Sequence, residues 1–182
     1  MTTVTAKWSL AEYHQMIAAA LLDDRQVELI GGEIIEMTPE GPGHSYYCRE
    51  SVKYLRTTLA QLAEVSEAHP ITLPDNSEPE PDVAIIRLPT SQYRDRHPQP
   101  ADIYWLIEIA NTTLSKDLGI KKDLYATAGI PEYWVVDLQN MLLVVFLDLQ
   151  DGNYQTQRSL TSGSISPQAF PTVQLDIRQL LS

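Results

Sequence analysis

Hydrophobic and polar positions alternate along the chain in patterns that predict several short strands. The segment "VELIGGEIIEM" at 27–37 predicts a β-hairpin, because two short apolar runs flank the two-residue turn Gly31-Gly32. Apolar runs at 66–73, 82–86 and 102–110 predict three further strands, the last one buried on both faces. Three runs that follow residue 131 are separated by turn residues and predict the end of the sheet as an antiparallel meander: "EYWVVDL", "MLLVVFLDL" and "NYQTQRSL".

Other segments repeat their apolar residues at the three- and four-residue spacing of a helix. "SLAE" at 9–12 is a capping box, so a helix should follow it through about residue 21. A long helix is expected from about 45 to 64, with one apolar stripe, and a shorter one from 117 to 128, ended by Gly129. The stripe of the long helix consists of Cys48, Val52, Leu55, Leu59 and Leu62.

This order of elements predicts an α/β protein with one central mixed β-sheet and helices packed on it. The strand at 102–110, the helix and the strand after it form a crossover unit, so these two strands should be parallel. A length of 182 residues suits one domain. Within it we expect an N-terminal helix and hairpin extension at 1–40, a core at 44–160 and a C-terminal tail at 161–182.

Composition narrows the class of protein. The net charge of −11, from 13 basic and 24 acidic residues, argues against binding to DNA through a broad basic face. A metal site acting on nucleic acid stays compatible with this charge, because bound cations invert the local field. Cys48 is the single cysteine, which favours a reducing cytoplasm. The first residues do not have the pattern of a signal peptide, and the longest apolar run, "MLLVVFL", is too short for a bilayer.

Two acids stand alone in predicted strands. Asp82 opens the strand "DVAII", and Glu108 is the one charge between Ile103 and Ala110. Because side chains alternate along a strand, Glu108 should share a face with Tyr104, Leu106 and Ala110. If the two strands are neighbours, both carboxylates could bind one cation, and carboxylates with water suit Mg²⁺. The alternative is that Asp82 caps a turn and that Glu108 pairs with a buried lysine or arginine.

Lys121 is the third candidate. At about 100° per residue, it lies in the middle of a mostly apolar stripe of its helix, with Asp117 and Tyr125 beside it. Lys122 lies at the rim of the stripe. A lysine on a buried face needs an acidic partner or a function, unless its stem packs while its ammonium reaches solvent.

Asp82 after Pro81, Glu108 on the next strand and a nearby lysine resemble the PD-(D/E)xK nuclease superfamily, which has the restriction-endonuclease-like fold. The wider sequence resembles one branch of it, the Uma-two family of bacterial endonuclease-like proteins. The matching stretches cover most of residues 27–138 and are "VELIGGEIIEMTPEGPGH", "EPEPDVAII" and "LIEIANTTLSKDLGIKKDLYATAGIPEYWVVDL". The chain departs from the superfamily pattern at Ala110, where a lysine is usual.

The resemblance implies that the lysine has moved to the helix, in the pattern Asp117, Lys121 and Tyr125. It implies a metal-dependent phosphodiesterase, most simply a DNA endonuclease, in which Asp82 and Glu108 hold Mg²⁺ or Mn²⁺ and Lys121 orients the attacking water. Glu28 on the hairpin and His44 at the start of the long helix match family features and are secondary candidates with Asp117. A homodimer would suit cleavage of two strands.

The loop between the two acidic strands contains Arg87, Arg94 and Arg96, which could contact a nucleic-acid backbone or be ordinary surface residues. Glu78 and Glu80 are expected in a solvated loop. Trp105, Tyr133 and Trp134 are expected in the core. Two other functions stay open, namely a nuclease-like module that binds without cutting and a hydrolase of small phosphoesters.

Overall fold

A computed structural model describes residues 5–182, so the first four residues of the predicted N-terminal extension lie outside it. Its centre is a six-stranded mixed sheet with the strand order β3-β4-β5-β6-β7-β8. Strands β5 and β6 are parallel, as predicted from the crossover helix between them, and every other neighbouring pair in this sheet is antiparallel. The strands are β3 (Glu64–Glu67), β4 (Val83–Ile86), β5 (Ile103–Ala110), β6 (Tyr133–Asp137), β7 (Leu142–Gln150) and β8 (Asn153–Leu160).

The predicted hairpin forms a separate two-stranded sheet, β1 (Val27–Ile30) with β2 (Glu33–Glu36). Its turn residues Gly31 and Gly32 both have positive φ, which explains why glycine occupies this turn. The helices are α1 (Leu10–Ala18), α2 (Pro42–Leu59), α3 (Leu114–Lys116) and α4 (Lys122–Thr127), and a π-helical turn (Asp117–Lys121), called here the π-turn, joins α3 to α4. The predicted capping box of Ser9 and Glu12 begins α1.

Both faces of the central sheet are covered, as the near-continuous apolar pattern of β5 predicts. Val83, Ile85, Trp105 and Ile107 belong to the core cluster under α2, and Leu106 and Ala110 belong to the cluster on the opposite face with Tyr125 of α4. Trp105, Tyr133 and Trp134 are fully buried, so the prediction that these aromatic residues are core is confirmed. The mixed α/β fold predicted from the sequence is therefore the observed one.

Several boundaries differ from the prediction. Helix α1 ends at Ala18, not near residue 21. Helix α2 ends at Leu59, not near residue 64, and Leu62 beyond it is exposed rather than part of the buried stripe. Glu64 already begins β3, because the chain must turn back to pair with β4. The strand predicted at 66–73 is thus shorter and earlier. The tail adds a short two-stranded sheet, β9 (Ser164–Ile165) with β10 (Leu175–Asp176), and a 3₁₀-turn at Ile177–Gln179.

A β-bulge changes which face the first residues of β5 occupy. Ile85 pairs with Trp105, but Ile86 pairs with Ile103, so Tyr104 is the extra residue. Tyr104 consequently packs against the cluster under α2 and not on the face of Glu108, where simple alternation had placed it. The alternation holds for Leu106, Glu108 and Ala110, which lie beyond the bulge.

Candidate functional site

A cavity of about 380 Å³ lies at the end of β5, between the hairpin, the N-terminus of α2 and the π-turn. The predicted acids Asp82 and Glu108 and the predicted Lys121 all line it. So do the three secondary candidates Glu28, His44 and Asp117. Residues that are up to 93 positions apart in the chain thus meet here, since Glu28 comes from β1 and Lys121 from the π-turn.

Asp82 is held at the entrance of β4 by two contacts on the same oxygen. Its Oδ2 accepts a hydrogen bond from the backbone N–H of Ile109 at 2.6 Å, and Nε2 of His44 lies 3.0 Å from Oδ2. Asp82 stands at this position because β4 and β5 are antiparallel neighbours, which brings the start of β4 beside the end of β5. The hydrogen bond between the His44 imidazole and the Asp82 carboxylate raises the pKa of His44 to about 9, which favours the charged imidazolium.

Glu108 is almost fully buried, and its Oε1 accepts two hydrogen bonds. Nζ of Lys121 donates at 2.8 Å, and the hydroxyl of Tyr125 donates at 2.7 Å. The sequence left two alternatives for Glu108, a metal site or a buried lysine or arginine as its partner. The structure contains an ion pair between Glu108 and Lys121. The helical wheel placed Lys121 on the buried face and Lys122 at its rim, and their side chains are 7% and 32% exposed. The catalytic role of Lys121 stays a prediction.

Asp117, Lys121 and Tyr125 are all buried on the side of the helix that faces the sheet. The π-turn between α3 and α4 was not predicted, since the sequence was interpreted as one regular helix. A π-turn inserted into an α-helix is often found at functional sites. Asp117 begins this turn, where the hydroxyl of Thr113 donates to its Oδ2 at 2.6 Å.

Glu28 on β1 is fully buried, although it lies on the hairpin. Its Oε1 accepts a hydrogen bond from Nζ of Lys116, and its Oε2 lies 3.9 Å from Nζ of Lys121. The backbone N–H of Glu80 donates to Oε2 at 3.4 Å. The hairpin acid therefore contacts two lysines of the helix that follows β5.

Negative charge is in excess inside the cavity, and the pKa values reflect it. Burial, together with the carboxylates of Asp82 and Asp117, raises the pKa of Glu108 to about 8 against the opposing effect of Lys121. Burial also raises the pKa of Asp117. For Lys121 burial favours the neutral amine, but the carboxylates around it outweigh burial and raise its pKa. A divalent cation would stabilise the ionised carboxylates.

The donor set fits such a cation. Every hydrogen bond that residues 5–182 make to the carboxylates of Asp82 and Glu108 goes to one oxygen of each, Oδ2 and Oε1. Oδ1 of Asp82 and Oε2 of Glu108 consequently have no hydrogen-bond donor among these residues, and oxygen donors are those that Mg²⁺ prefers. Glu40, His44 and Asp82 bring one ligand atom each within 4.8 Å of one another. This mixed nitrogen and oxygen set shares Asp82 with the predicted pair but does not include Glu108, and it requires the neutral imidazole of His44.

The three predicted nucleic-acid-binding arginines are elsewhere. None of the described residues that line the cavity is Arg87, Arg94 or Arg96. Arg87 stacks over Tyr104 and donates to the carbonyl of Ala101, and Arg96 pairs with Asp102. The structure thus engages two of these guanidinium groups in internal contacts, and their role toward a substrate stays a prediction.

Sequence reasoning missed several polar residues. Glu78 was expected in a solvated loop, but it is buried, with Nε2 of His14 at 2.8 Å and the hydroxyl of Thr72 at 3.0 Å, because the loop pairs with β1 through Leu29. Glu80 is partly buried and lines the cavity, so the same expectation was wrong for it. Lys116 was also missed, and its place five residues before Lys121 is a signal only if the helix contains a π-turn.

One solved structure that this fold resembles is that of a protein from Anabaena variabilis ATCC 29413, described as a "putative nuclease belonging to DUF820". The two chains are 18% identical, with a TM-score of 0.73 over 95% of this chain and 97% of the other, which shows a shared fold. No curated protein matches this chain. No helix within residues 5–182 is long and apolar enough to cross a membrane.

The family comparison covers almost the same extent. The Uma2 family, described as "Putative restriction endonuclease", matches residues 10–178. This range contains all of the cavity residues named above, from Glu28 to Lys121, and it confirms the resemblance that the sequence motifs indicated. The chain therefore belongs to the Uma2 family.

Proposed function

We propose that this protein is a metal-dependent phosphodiesterase and that its substrate is DNA. One observation carries the proposal: Asp82, Glu108 and Lys121 come from three elements and line one cavity, and each of the two carboxylates has one oxygen that residues 5–182 leave without a hydrogen bond. A family described as restriction endonucleases supports the same reaction class.

The residues divide into two roles. Asp82 and Glu108 would hold Mg²⁺ or Mn²⁺, which when bound would acidify a water molecule and stabilise charge on the scissile phosphate. Lys121 supplies a cation whose positive charge the surrounding carboxylates maintain, and it would orient that water or bind a phosphate oxygen. The local excess of acids explains how a chain of net charge −11 could act on a polyanion, since bound metal reverses the field at the site.

Cleavage of supercoiled plasmid tests the proposal. The wild-type protein should nick or linearise plasmid in Mg²⁺, whereas Asp82→Asn and Glu108→Gln should remove cleavage and metal binding together. Glu33→Gln is the matched control, because Glu33 lies on the same hairpin sheet as the cavity wall but pairs with Lys7 at the surface. If both site variants cut as fast as wild type in Mg²⁺, the metal site is elsewhere.

The choice of metal is a second test. Activity should require Mg²⁺ or Mn²⁺ and be lost in Ca²⁺, which binds oxygen ligands at longer distances and with looser geometry. Full activity in excess chelator would contradict the mechanism.

A nuclease-like module that binds without cutting is the second candidate function. It is favoured by the net charge and by the existing Glu108–Lys121 ion pair, in which each group already has a partner. Isothermal titration with Mn²⁺ separates the two candidates, because a module without catalysis has no need of a bound metal. Hydrolysis of a generic phosphodiester such as bis(p-nitrophenyl) phosphate, without plasmid cleavage, would indicate a small-phosphoester hydrolase.

We further propose a cytoplasmic location, since the one cysteine, Cys48, is buried and suits a reducing compartment. We propose a homodimer because two sites would cut two strands. Sedimentation of the protein alone and with a short duplex would test this assembly.

A further inference from the structure

Glu28 is the acid of the cavity whose surroundings differ most from those of a metal ligand. Its side chain is 0% exposed, and both of its oxygens have contacts within the described chain. Lys116 binds one oxygen, and the backbone of Glu80 and the ammonium of Lys121 approach the other. Asp82 and Glu108, in contrast, each keep one oxygen for a ligand.

The π-turn explains how one carboxylate contacts two lysines of the same helix. In a regular α-helix, Lys121 would lie about 140° around the axis from Lys116, so both could not point to one acid. Hydrogen bonds of the i→i+5 type widen the turn and bring residues five apart closer to one side. The segment Asp117–Lys121 has this geometry, and Lys116 directly precedes it.

Lys121 therefore lies between two buried carboxylates, at 2.8 Å from Glu108 and 3.9 Å from Glu28. Because Lys116 already neutralises part of the charge on Glu28, Lys121 makes its shorter contact with Glu108. We propose that Glu28, together with Lys116, is a positioning residue that holds the ammonium of Lys121 in place for the reaction. The inference rests on the function proposed above. It means that the N-terminal hairpin contributes a residue, Glu28, that supports the reaction.

Two consequences follow from this arrangement. Removing the charge of Glu28 frees Lys121 from one of its two anchors, so the ammonium should lose its fixed position without leaving the cavity. Removing Lys116 leaves Glu28 without its closest partner, and Lys121 should then shift from Glu108 toward Glu28. Both changes should lower kcat and leave substrate binding nearly unchanged.

The kinetic test compares Glu28→Gln with Glu33→Gln, and Lys116→Met with Lys122→Met. Glu33 pairs with the exposed Lys7, and the side chain of Lys122 is about as exposed as that of Lys116. Loss of a residue that orients a reacting group typically costs about tenfold to a hundredfold. We expect kcat to fall by this factor in Glu28→Gln and Lys116→Met, with KM within about threefold, and Glu28→Asp to recover part of it.

A second measurement does not depend on cleavage. Acylation of lysine amines, followed by mass spectrometry, reports how strongly each ammonium is paired. Lys116 should react several-fold faster in Glu28→Gln than in wild type, measured against the 75% exposed Lys53 as internal reference. Glu33→Gln should leave the reactivity of Lys116 unchanged.

The outcomes separate the inference from the proposed function. A wild type that cuts plasmid while Glu28→Gln and Lys116→Met keep its kcat would overturn the positioning role alone. Lower melting temperatures of Glu28→Gln and Lys116→Met with an unchanged kcat in the folded fraction would also overturn it. Glu28 would then only stabilise the position of the hairpin. If Glu28→Gln does not fold, Lys116→Met decides by the same criterion. Should wild type not cut at all, unchanged labelling of Lys116 in Glu28→Gln would still refute the contact.

Discussion

Lys121 and Lys122 are adjacent in the chain but differ sharply in their surroundings, and this difference gives the clearest prediction. The side chain of Lys121 is 7% exposed and binds the buried Glu108, whereas Lys122 is 32% exposed and pairs with the exposed Asp123. Substituting each by methionine keeps most of the apolar volume and removes one charge. The pair therefore isolates the effect of position.

The expected loss of stability follows from the loss of an ion pair. Removing one partner of a buried ion pair costs about 3–5 kcal/mol. For Lys122→Met the loss should be about 0–1 kcal/mol, as for other exposed pairs. The two variants then differ by about 2–5 kcal/mol, so in a chain of 182 residues their melting temperatures should differ by about 4–20 °C.

We expect the rate of cleavage to differ between the two variants in the same direction as their stability. Lys121→Met should lower the initial rate of plasmid cleavage by about a hundredfold or more, equivalent to about 3 kcal/mol of transition-state stabilisation. Lys122→Met should lose little beyond some salt-sensitive affinity for the substrate. Initial rates are measured in one Mg²⁺ and salt condition at a temperature well below both melting transitions. The assigned helix face would be refuted if Lys122→Met lost plasmid cleavage while Lys121→Met kept it, or if the two variants had equal melting temperatures.

Further predictions concern other buried acids and their partners. Saturating Mn²⁺ should raise the melting temperature of wild type by several degrees but not that of Glu108→Gln, and equal shifts would place the metal elsewhere. Tyr125→Phe removes one of the two donors to Glu108 and should cost about 1–2 kcal/mol in denaturant unfolding, and no loss would argue against this hydrogen bond. Burial raises the pKa of Glu132 from 4.5 to about 7, so folding is weakened as the pH rises through this range. The stability of Glu132→Gln relative to wild type should thus increase by about 3 kcal/mol at most between pH 5 and 8, and a constant difference would contradict this reasoning.

Much of the fold could be predicted because local patterns and the core agreed. The two-residue glycine turn, the capping box at Ser9 and the apolar run of β5 depend on residues close together in the chain. Where long-range pairing decided the end of an element or the face of a residue, the prediction was wrong. Helix α2 ends early because Glu64 must pair with Ile86 of β4, and the alternation in β5 fails at Tyr104 because a bulge shifts its pairing with β4.

The candidate site shows the same division. An isolated charge in an apolar strand is unusual enough to make Asp82 and Glu108 candidates, and a lysine in an apolar helical stripe makes Lys121 a candidate. The sequence has no sign of which acid binds which base. Glu78 looked solvated because its neighbours in the loop are polar, and only the pairing of that loop with β1 buries it.

The sequence by itself thus determined the family and the order of the main strands and helices, and it selected three candidate residues for metal-dependent hydrolysis, since each of these depends on local spacing or on recognisable motifs. The tertiary structure alone decided that Glu108 pairs with Lys121, that His44 approaches Asp82 and that Glu28 lies between two lysines. These contacts join residues from different elements, and the last depends on a π-turn that the α-helical periodicity of the sequence does not predict. Their physical basis is burial, because carboxylates removed from water are stable only beside the cations that the fold brings to them.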